Sequence, residues 1–248
     1  MATKNRKNAE ENYLNVPASK LPPQGPIGHK RSGDFRNSFH WRVLRILSEF
    51  IDGFQFLADF NETRTVTFFG SARDKEGNKY YETARKLAKL LGKKGYGVVT
   101  GGGPGIMEAG NRGAVEGKGE SIGLNIQLPQ EQRVNRWVKE GIGFHYFFSR
   151  KVMLVYSAQA YVYFPGGFGT LDEFFELVTL RQTKKISDKI PLICIGHDFW
   201  DPIAKWIDST VCKKFHYIDK EDMKIYTIVD TPEEAWEIIK KSPHIKYF

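Results

Sequence analysis

The chain reads as an α/β protein with a three-layer, Rossmann-like fold, a mainly parallel sheet carrying helices on both faces. Two observations predict it. Short apolar runs of strand length alternate with longer segments whose apolar residues recur at helical spacing, the pattern of repeated βαβ units. Two glycine-rich turns, Gly101-Gly102-Gly103-Pro104-Gly105 and Pro165-Gly166-Gly167-Phe168-Gly169-Thr170, each follow a strand and open a helix, which places both at strand carboxyl ends where ligands of such sheets bind.

Residues 1–34 are rich in Lys, Asn, Pro and Gly, with few apolar positions, which predicts a flexible N-terminal arm ahead of one nucleotide-binding domain over 35–248. Phe39, Val43, Ile46, Leu47, Phe50, Phe54 and Leu57 follow helical spacing, so a long amphipathic helix over 35–60 precedes the first strand, either capping the core or making a subunit contact. Strands are then expected at 65–69, 96–100 and 121–126, with helices at 80–94 and 105–116 between them. A loop around Pro129 leads to a strand at 144–148 and a helix at 150–158. The pattern continues with a strand at 161–164, a helix at 171–183, a strand at 191–195, a helix at 200–211, a strand at 225–229 and a helix at 232–241. Pro104 suits a first helical turn, and Ile106, Ala109, Gly110, Gly113 and Ala114 give the second helix a face of small residues able to pack closely.

The 248 residues are 41% hydrophobic, enough for a well-formed core, and carry a formal charge of +8. That charge suits an anionic ligand, yet the basic residues are spread along the chain and form no strip of the kind nucleic acid requires. Cys194 and Cys212 lack metal-ligand spacing, so neither a zinc site nor a disulfide scaffold is indicated. A polar N-terminus and the absence of a long uncharged apolar run predict a cytoplasmic protein with no membrane span.

A glycine turn opening a helix presents free amides and the positive end of a helix dipole to an anion. The dinucleotide fingerprint GxGxxG is not met: counting from Gly101 puts Ile106 at the third glycine, and counting from Gly167 puts Asp172 there. The mononucleotide P-loop fails too, because Gly117-Lys118 is followed by Gly119 and Arg112 stands where its first glycine belongs. A phosphate held by backbone amides, a hydroxyl and arginine remains, with the carboxylate of Glu173 free to act elsewhere on the ligand.

The segment PGGFGTLDE, from Pro165 to Glu173, resembles the PGGxGTxxE signature of the LONELY GUY (LOG) family of cytokinin riboside 5′-monophosphate phosphoribohydrolases, relatives of which are called possible lysine decarboxylases. Phe69-Gly70-Ser71-Ala72-Arg73, Gly101 through Met107, and Ser149-Arg150-Lys151 resemble further family segments in order and spacing, over roughly residues 65–210. The resemblance implies hydrolysis of the N-glycosidic bond of a nucleoside 5′-monophosphate to free base and ribose 5-phosphate, by a homodimer or higher homo-oligomer needing no metal or organic cofactor. It implies Glu173 and Arg150 as catalytic residues. Gly166, Gly167, Gly169 and Thr170 would bind the phosphate, and Ser71, Arg73, Gly101, Gly102, Gly103 and Lys151 would line the nucleotide pocket. The arm, the helix over 35–60 and the longer glycine run GGGPGIMEAGNRGA depart from the compact plant-type core, which makes AMP or another purine nucleotide the broader substrate class.

Plainer roles compete for the same residues. Thr170 to Glu173 also reads as a capping box in which Glu173 returns to the Thr170 amide. Asp172 and Glu176 read as first-turn acids facing the dipole, Glu108 and Arg112 as an intrahelical pair, and His145 as a packed strand residue. Lys151 is the residue a pyridoxal-phosphate decarboxylase would need, with nothing else supporting that chemistry. A non-catalytic nucleotide or cofactor carrier using the same cradle is the alternative function.

Overall fold

Four strands are buried from end to end, and their composition shows why. In the computed structural model, which describes residues 39–126 and 134–244, β1 (Thr65–Phe69), β2 (Gly97–Thr100), β5 (Tyr161–Tyr163) and β6 (Leu192–Ile195) are short apolar or β-branched runs with no exposed position. Strands covered on both faces need no polar alternation. With β3 (Ser121–Ile126), β4 (Glu140–Phe144) and β7 (Tyr226–Val229) they form one seven-stranded sheet in the order β4-β3-β2-β1-β5-β6-β7, every pairing parallel.

Helices cover both faces. On one side Val66, Phe68, Val98, Val162 and Ile193 pack against α2 (Lys79–Lys93), α3 (Ile106–Glu116) and α7 (Pro232–Ile239). On the other, Phe69, Val99, Tyr161, Tyr163 and Cys194 pack with residues of α1 (Phe39–Ala58), α4 (Phe147–Tyr156), α5 (Phe168–Gln182) and α6 (His197–Trp206). The expected three-layer parallel architecture is therefore the observed one. Among the described residues no helix is long and apolar enough to cross a membrane.

The strand order reverses at β1. The chain runs outward from β1 through β2 and β3 to β4, then returns to lay β5 on the other side of β1. At such a switch point two successive turns diverge and leave a crevice at the strand carboxyl ends. The turn after β1 and the glycine turn after β5 meet there: the Phe164 amide donates to the Phe69 carbonyl at 2.9 Å and the Ser71 amide to the Pro165 carbonyl at 3.0 Å.

Several boundaries differ from expectation. The strand read at 144–148 lies four residues earlier, as β4, and Phe147 and Phe148 begin α4 instead. The aromatic run deceived because only Phe144 is buried, whereas Phe147 and Phe148 are 57% and 48% exposed; the true strand, Glu-Gly-Ile-Gly-Phe, is an edge strand without the apolar pattern of an interior one. The helix read from 171 starts at Phe168, and the helix read from 200 starts at His197 and passes after Trp206 into a π-helical segment, Ile207–Lys214. Pro104 lies just ahead of Gly105, the N-cap of α3, and so outside its first turn. The expected arm, the first residues of the 35–60 helix and the loop around Pro129 lie outside the described residues. Within α1, Gly53 and Leu57 are buried while Phe39, Leu44, Leu47 and Ile51 are exposed.

The small-residue face of α3 serves two partners. A Cβ on Gly110 would stand 3.1 Å from the Phe68 ring on the sheet, and one on Gly113 would stand 2.2 Å from the Arg85 carbonyl oxygen in the backbone of α2. Arg112, expected to pair with Glu108, instead reaches Glu76 at 2.7 Å and Glu116 at 3.2 Å. Gly113→Ala must push two helix backbones apart and is expected to lower unfolding free energy by about 2 kcal/mol. Urea denaturation checks this; an unchanged midpoint would show that the helices separate freely.

Candidate active site

Three turns built on β1, β2 and β5 converge at the switch point, and glycine lets them touch. Gly105, at φ +71 and ψ −131, takes a backbone conformation open to glycine, and a Cβ there would stand 2.2 Å from the Ser71 carbonyl oxygen. That close approach lets the Ile106 amide donate to the same carbonyl at 2.9 Å, which locks the β2 turn against the β1 turn. Gly166 makes the corresponding contact from the β5 side: its Cβ would lie 2.2 Å from the Thr170 hydroxyl and 3.0 Å from the Ser71 amide.

The result is a cleft of about 910 Å³. Ser71, Arg73, Gly101, Arg150, Lys151, Gly166, Gly167, Gly169, Thr170 and Glu173 all line it, so ten of the twelve residues expected at the site come together. Gly102 and Gly103 do not. They turn the chain beneath the cleft, where the Gly102 amide donates to the Thr100 hydroxyl at 2.9 Å and the Gly103 carbonyl accepts from the Asn135 side chain at 2.9 Å. Asn111, buried, ties this support together by accepting from Thr100 at 2.6 Å and Asn135 at 3.0 Å. Sequence reading also missed an apolar wall formed by Met107, Phe147, Phe199 and Ile203. Met107 adjoined a recognised turn, but Phe199 and Ile203 come from α6, far along the chain, and bear no local mark.

Helix α5 aims its N-terminus into the cleft. Its N-cap is Gly167, which offers no capping side chain, and neither Gly167 nor Gly169 has anything within 4 Å of where a Cβ would stand. The turn thus leaves room beside the start of the helix, whose first amides carry the positive end of the dipole an anion site uses. This start also removes the capping-box reading. Thr170 is the third helical residue, so Glu173 falls well inside the helix and has no cap amide to return to. Asp172 and Glu176 likewise lie beyond the first turn and bind Lys151 at 2.8 and 3.2 Å. Burial pulls that ammonium's pKa down, and the two carboxylates, first the hydrogen bond to Asp172, together outweigh it and hold the pKa above its ordinary value.

Glu173 is 8% exposed, and its Oε2 is buried without a hydrogen-bond partner. Burial pushes its carboxyl up to about 7, the Arg150 charge opposing and the Glu176 charge adding to the rise. Arg150 is fixed from below: its Nε donates to the Leu124 carbonyl on β3 at 2.7 Å, and its Nη2 would stand 2.3 Å from a Cβ on Gly101. Gly101 is thus the floor on which the guanidinium rests. Burial pulls the Arg150 pKa down while Glu173 holds it up, and guanidinium remains charged near neutrality regardless. Among the described residues no ion pair joins the two, although both line the cleft and each side chain feels the other's charge.

Ser71 folds back within its own turn, its hydroxyl accepting from the Arg73 amide at 3.1 Å, while Arg73 is exposed at the rim. His145 does not line the cleft; it lies beyond β4 with its amide bonded to Glu49. Among the described residues no group of three or more His, Cys, Asp or Glu is arranged to hold a metal.

Two outcomes test this geometry. Gly101→Ala drives a methyl group into the guanidinium and is expected to displace Arg150 without unfolding the protein, visible in a crystal structure of the variant; an unmoved Arg150 would refute the contact. For Glu173 the folded pKa lies above the unfolded one, so ionising the buried carboxyl destabilises the fold as pH rises through the window from 4.5 to about 7. Glu173→Gln is therefore expected to be more stable than the parent above pH 7 by on the order of 3 kcal/mol, and equal to it below pH 4.5. Denaturation across pH checks the sign.

The family model described as possible lysine decarboxylase matches residues 107–239, more than half of the chain. The cytokinin riboside 5′-monophosphate phosphoribohydrolase LOG of Oryza sativa subsp. japonica is 30% identical over 158 residues, which cover 61% of this chain and 63% of that protein. The LOG2 enzyme of the same name from Arabidopsis thaliana is 28% identical over 156 residues, 61% of this chain and 71% of its own. Among solved structures, the Moco carrier protein of Chlamydomonas reinhardtii superposes with a TM-score of 0.53 at 21% identity, covering 72% of this chain and 96% of that one, a likeness of fold alone. The match spans less than two thirds of the rice enzyme's length. With a family model covering more than half its length, the chain belongs to the LONELY GUY family of possible lysine decarboxylases.

Proposed function

We propose that the protein hydrolyses the N-glycosidic bond of a nucleoside 5′-monophosphate, of AMP or cytokinin riboside monophosphate type, releasing free base and ribose 5-phosphate. The observation that carries this reading is Glu173: a buried carboxyl with an unpartnered oxygen, sharing its cleft with the half-buried Arg150 and on a helix whose glycine-lined N-terminus opens into the same cleft. The activity in the printed names of the rice and Arabidopsis relatives supports it.

The 5′-phosphate binds at the N-terminus of α5, held by the amides of the Gly166 to Gly169 turn and the Thr170 hydroxyl. Arg73 closes the rim over it. The ribose then lies between Glu173 and Arg150, and the base meets the wall of Met107, Phe147, Phe199 and Ile203. As the C1′–N bond breaks, positive charge grows on the ribosyl ring and the Glu173 carboxylate stabilises it. The same carboxylate orients the attacking water and takes its proton as the C1′–O bond forms. Arg150 holds the departing base or the ribose oxygens as a fixed positive charge, and the proton taken from water passes on to the base nitrogen, directly or through solvent, which restores the carboxylate. The chemistry calls on no metal.

A Schiff-base decarboxylase fits these residues less well. Its amine must be deprotonated to attack, whereas Asp172 and Glu176 hold Lys151 as an ammonium ion.

Incubation with AMP and with an N6-substituted AMP, followed by chromatography of free base and ribose 5-phosphate, tests the proposal. Release is expected to survive a chelator, to fall by about 10²-fold or more in Glu173→Gln, and to rise with pH through about 7 as the carboxyl ionises. Saturable nucleotide binding without release would replace the hydrolase with a nucleotide or cofactor carrier.

A further inference from the structure

Glu49 lies on α1, outside the residues matched by the family model, and its carboxylate is turned inward with 12% of the side chain exposed. Its Oε1 accepts from the His145 amide at 2.8 Å; its Oε2 accepts from the Tyr146 amide at 3.3 Å and from the Ser149 hydroxyl at 2.5 Å. These groups form the N-terminal end of α4, whose own N-cap residue, Tyr146, makes no capping side-chain bond. A carboxylate there satisfies free amides and meets the positive end of the helix dipole. The cap is therefore supplied by another helix.

The contact continues in register. One turn beyond Glu49, a Cβ on Gly53 would stand 2.8 Å from the Met153 sulfur, and Phe54 meets Tyr156 edge to face at 5.7 Å between ring centroids. Helix α1 thus runs beside α4, fixed to it at both ends. Arg150 stands one residue after Ser149, and its guanidinium has little room for error between the Leu124 carbonyl and Gly101.

We propose that Glu49 is a positioning residue for Arg150, capping α4 from α1 so that the guanidinium is held against Gly101 and opposite Glu173. The inference rests on the hydrolase reading for its catalytic consequence. Its physical content stands apart, because Arg150 opposes the rise in the Glu173 pKa and the position of one is legible in the titration of the other. The other groups acting on Glu173 are Lys151 from α4 and Asp172 and Glu176 from α5, with Tyr163 beside it on β5.

The test is a ¹³C NMR titration of the Glu173 carboxyl, identified by its loss in Glu173→Gln, in the parent chain and in Glu49→Ala. Release of the cap is expected to raise the midpoint by roughly half a unit to one unit as Arg150 moves away. The acid limb of AMP hydrolysis is expected to move with it. Glu49→Gln, which keeps one acceptor oxygen, is expected to fall between the two and serves if the alanine variant does not fold. Gly113→Ala, destabilising but remote from the cleft, is the control and leaves the midpoint in place. A Glu49 variant that loses stability like this control with an unmoved Glu173 midpoint would overturn the proposal. Absence of hydrolysis in the parent would refute the hydrolase reading while leaving the NMR outcome decisive for Glu49.

Discussion

The site depends on the close approach of three backbone turns at the point where the sheet reverses its order. A side chain at 105 or 166 would collide with the β1 turn, whose Ser71 amide and carbonyl receive the neighbours on either side. Once the turns are in contact, the strand ends beneath them need no further adjustment: Gly101 and Leu124 fall under Arg150, and the start of α5 falls opposite the β1 turn. The glycines thus act by making three loops into one rigid floor, which is a different use from letting a ligand in. Among the glycines that line the cleft, Gly167 and Gly169 alone leave space where a Cβ would stand.

On that floor the protein places charges that oppose its own stability. Glu173 is buried with an oxygen unbonded, and its raised pKa measures what its ionised form costs the folded state. Arg150 offsets part of that cost without forming a direct pair, which a pair committed to stability alone would do. The contrast with Lys151 is instructive. Lys151 is satisfied by two carboxylates at the rim, whereas the buried charges beside it are left for something else to complete. A ligand bearing an anion at one end and a reacting centre that turns cationic fits the pattern of unmet groups from the α5 N-terminus to Glu173.

Helix α1 shows how a segment outside the matched family region can matter to such a site. Its apolar spacing reads as a core cap, and Gly53 and Leu57 do serve the core. Its carboxylate does more: Glu49 completes the helix that carries Arg150, so part of the electrostatics at the strand ends is set from a segment that precedes the first strand.

Much of this was legible in the sequence, and the limits of that legibility have physical causes. The alternation of apolar runs and helical spacing determined the parallel three-layer sheet, since a strand buried on both faces and a helix buried on one leave different periods in the chain. The glycine turns marked where the ligand end of the sheet would be, and PGGFGTLDE named Glu173. The edge strand β4 escaped because a strand with one neighbour and one open side needs no apolar pattern. The helix start at Phe168 escaped because a glycine N-cap has no side chain to announce it, so the residues alone left a capping role open for Glu173 and only the resemblance favoured a free carboxylate. The sequence by itself thus determined the fold and the residues from which a site could be made. Tertiary structure alone decided which of them face the cleft, that Gly102 and Gly103 support it from beneath, that Phe199 and Ile203 wall it, and that Glu49 holds α4, because contacts between residues distant in the chain follow from packing and leave no local period to read.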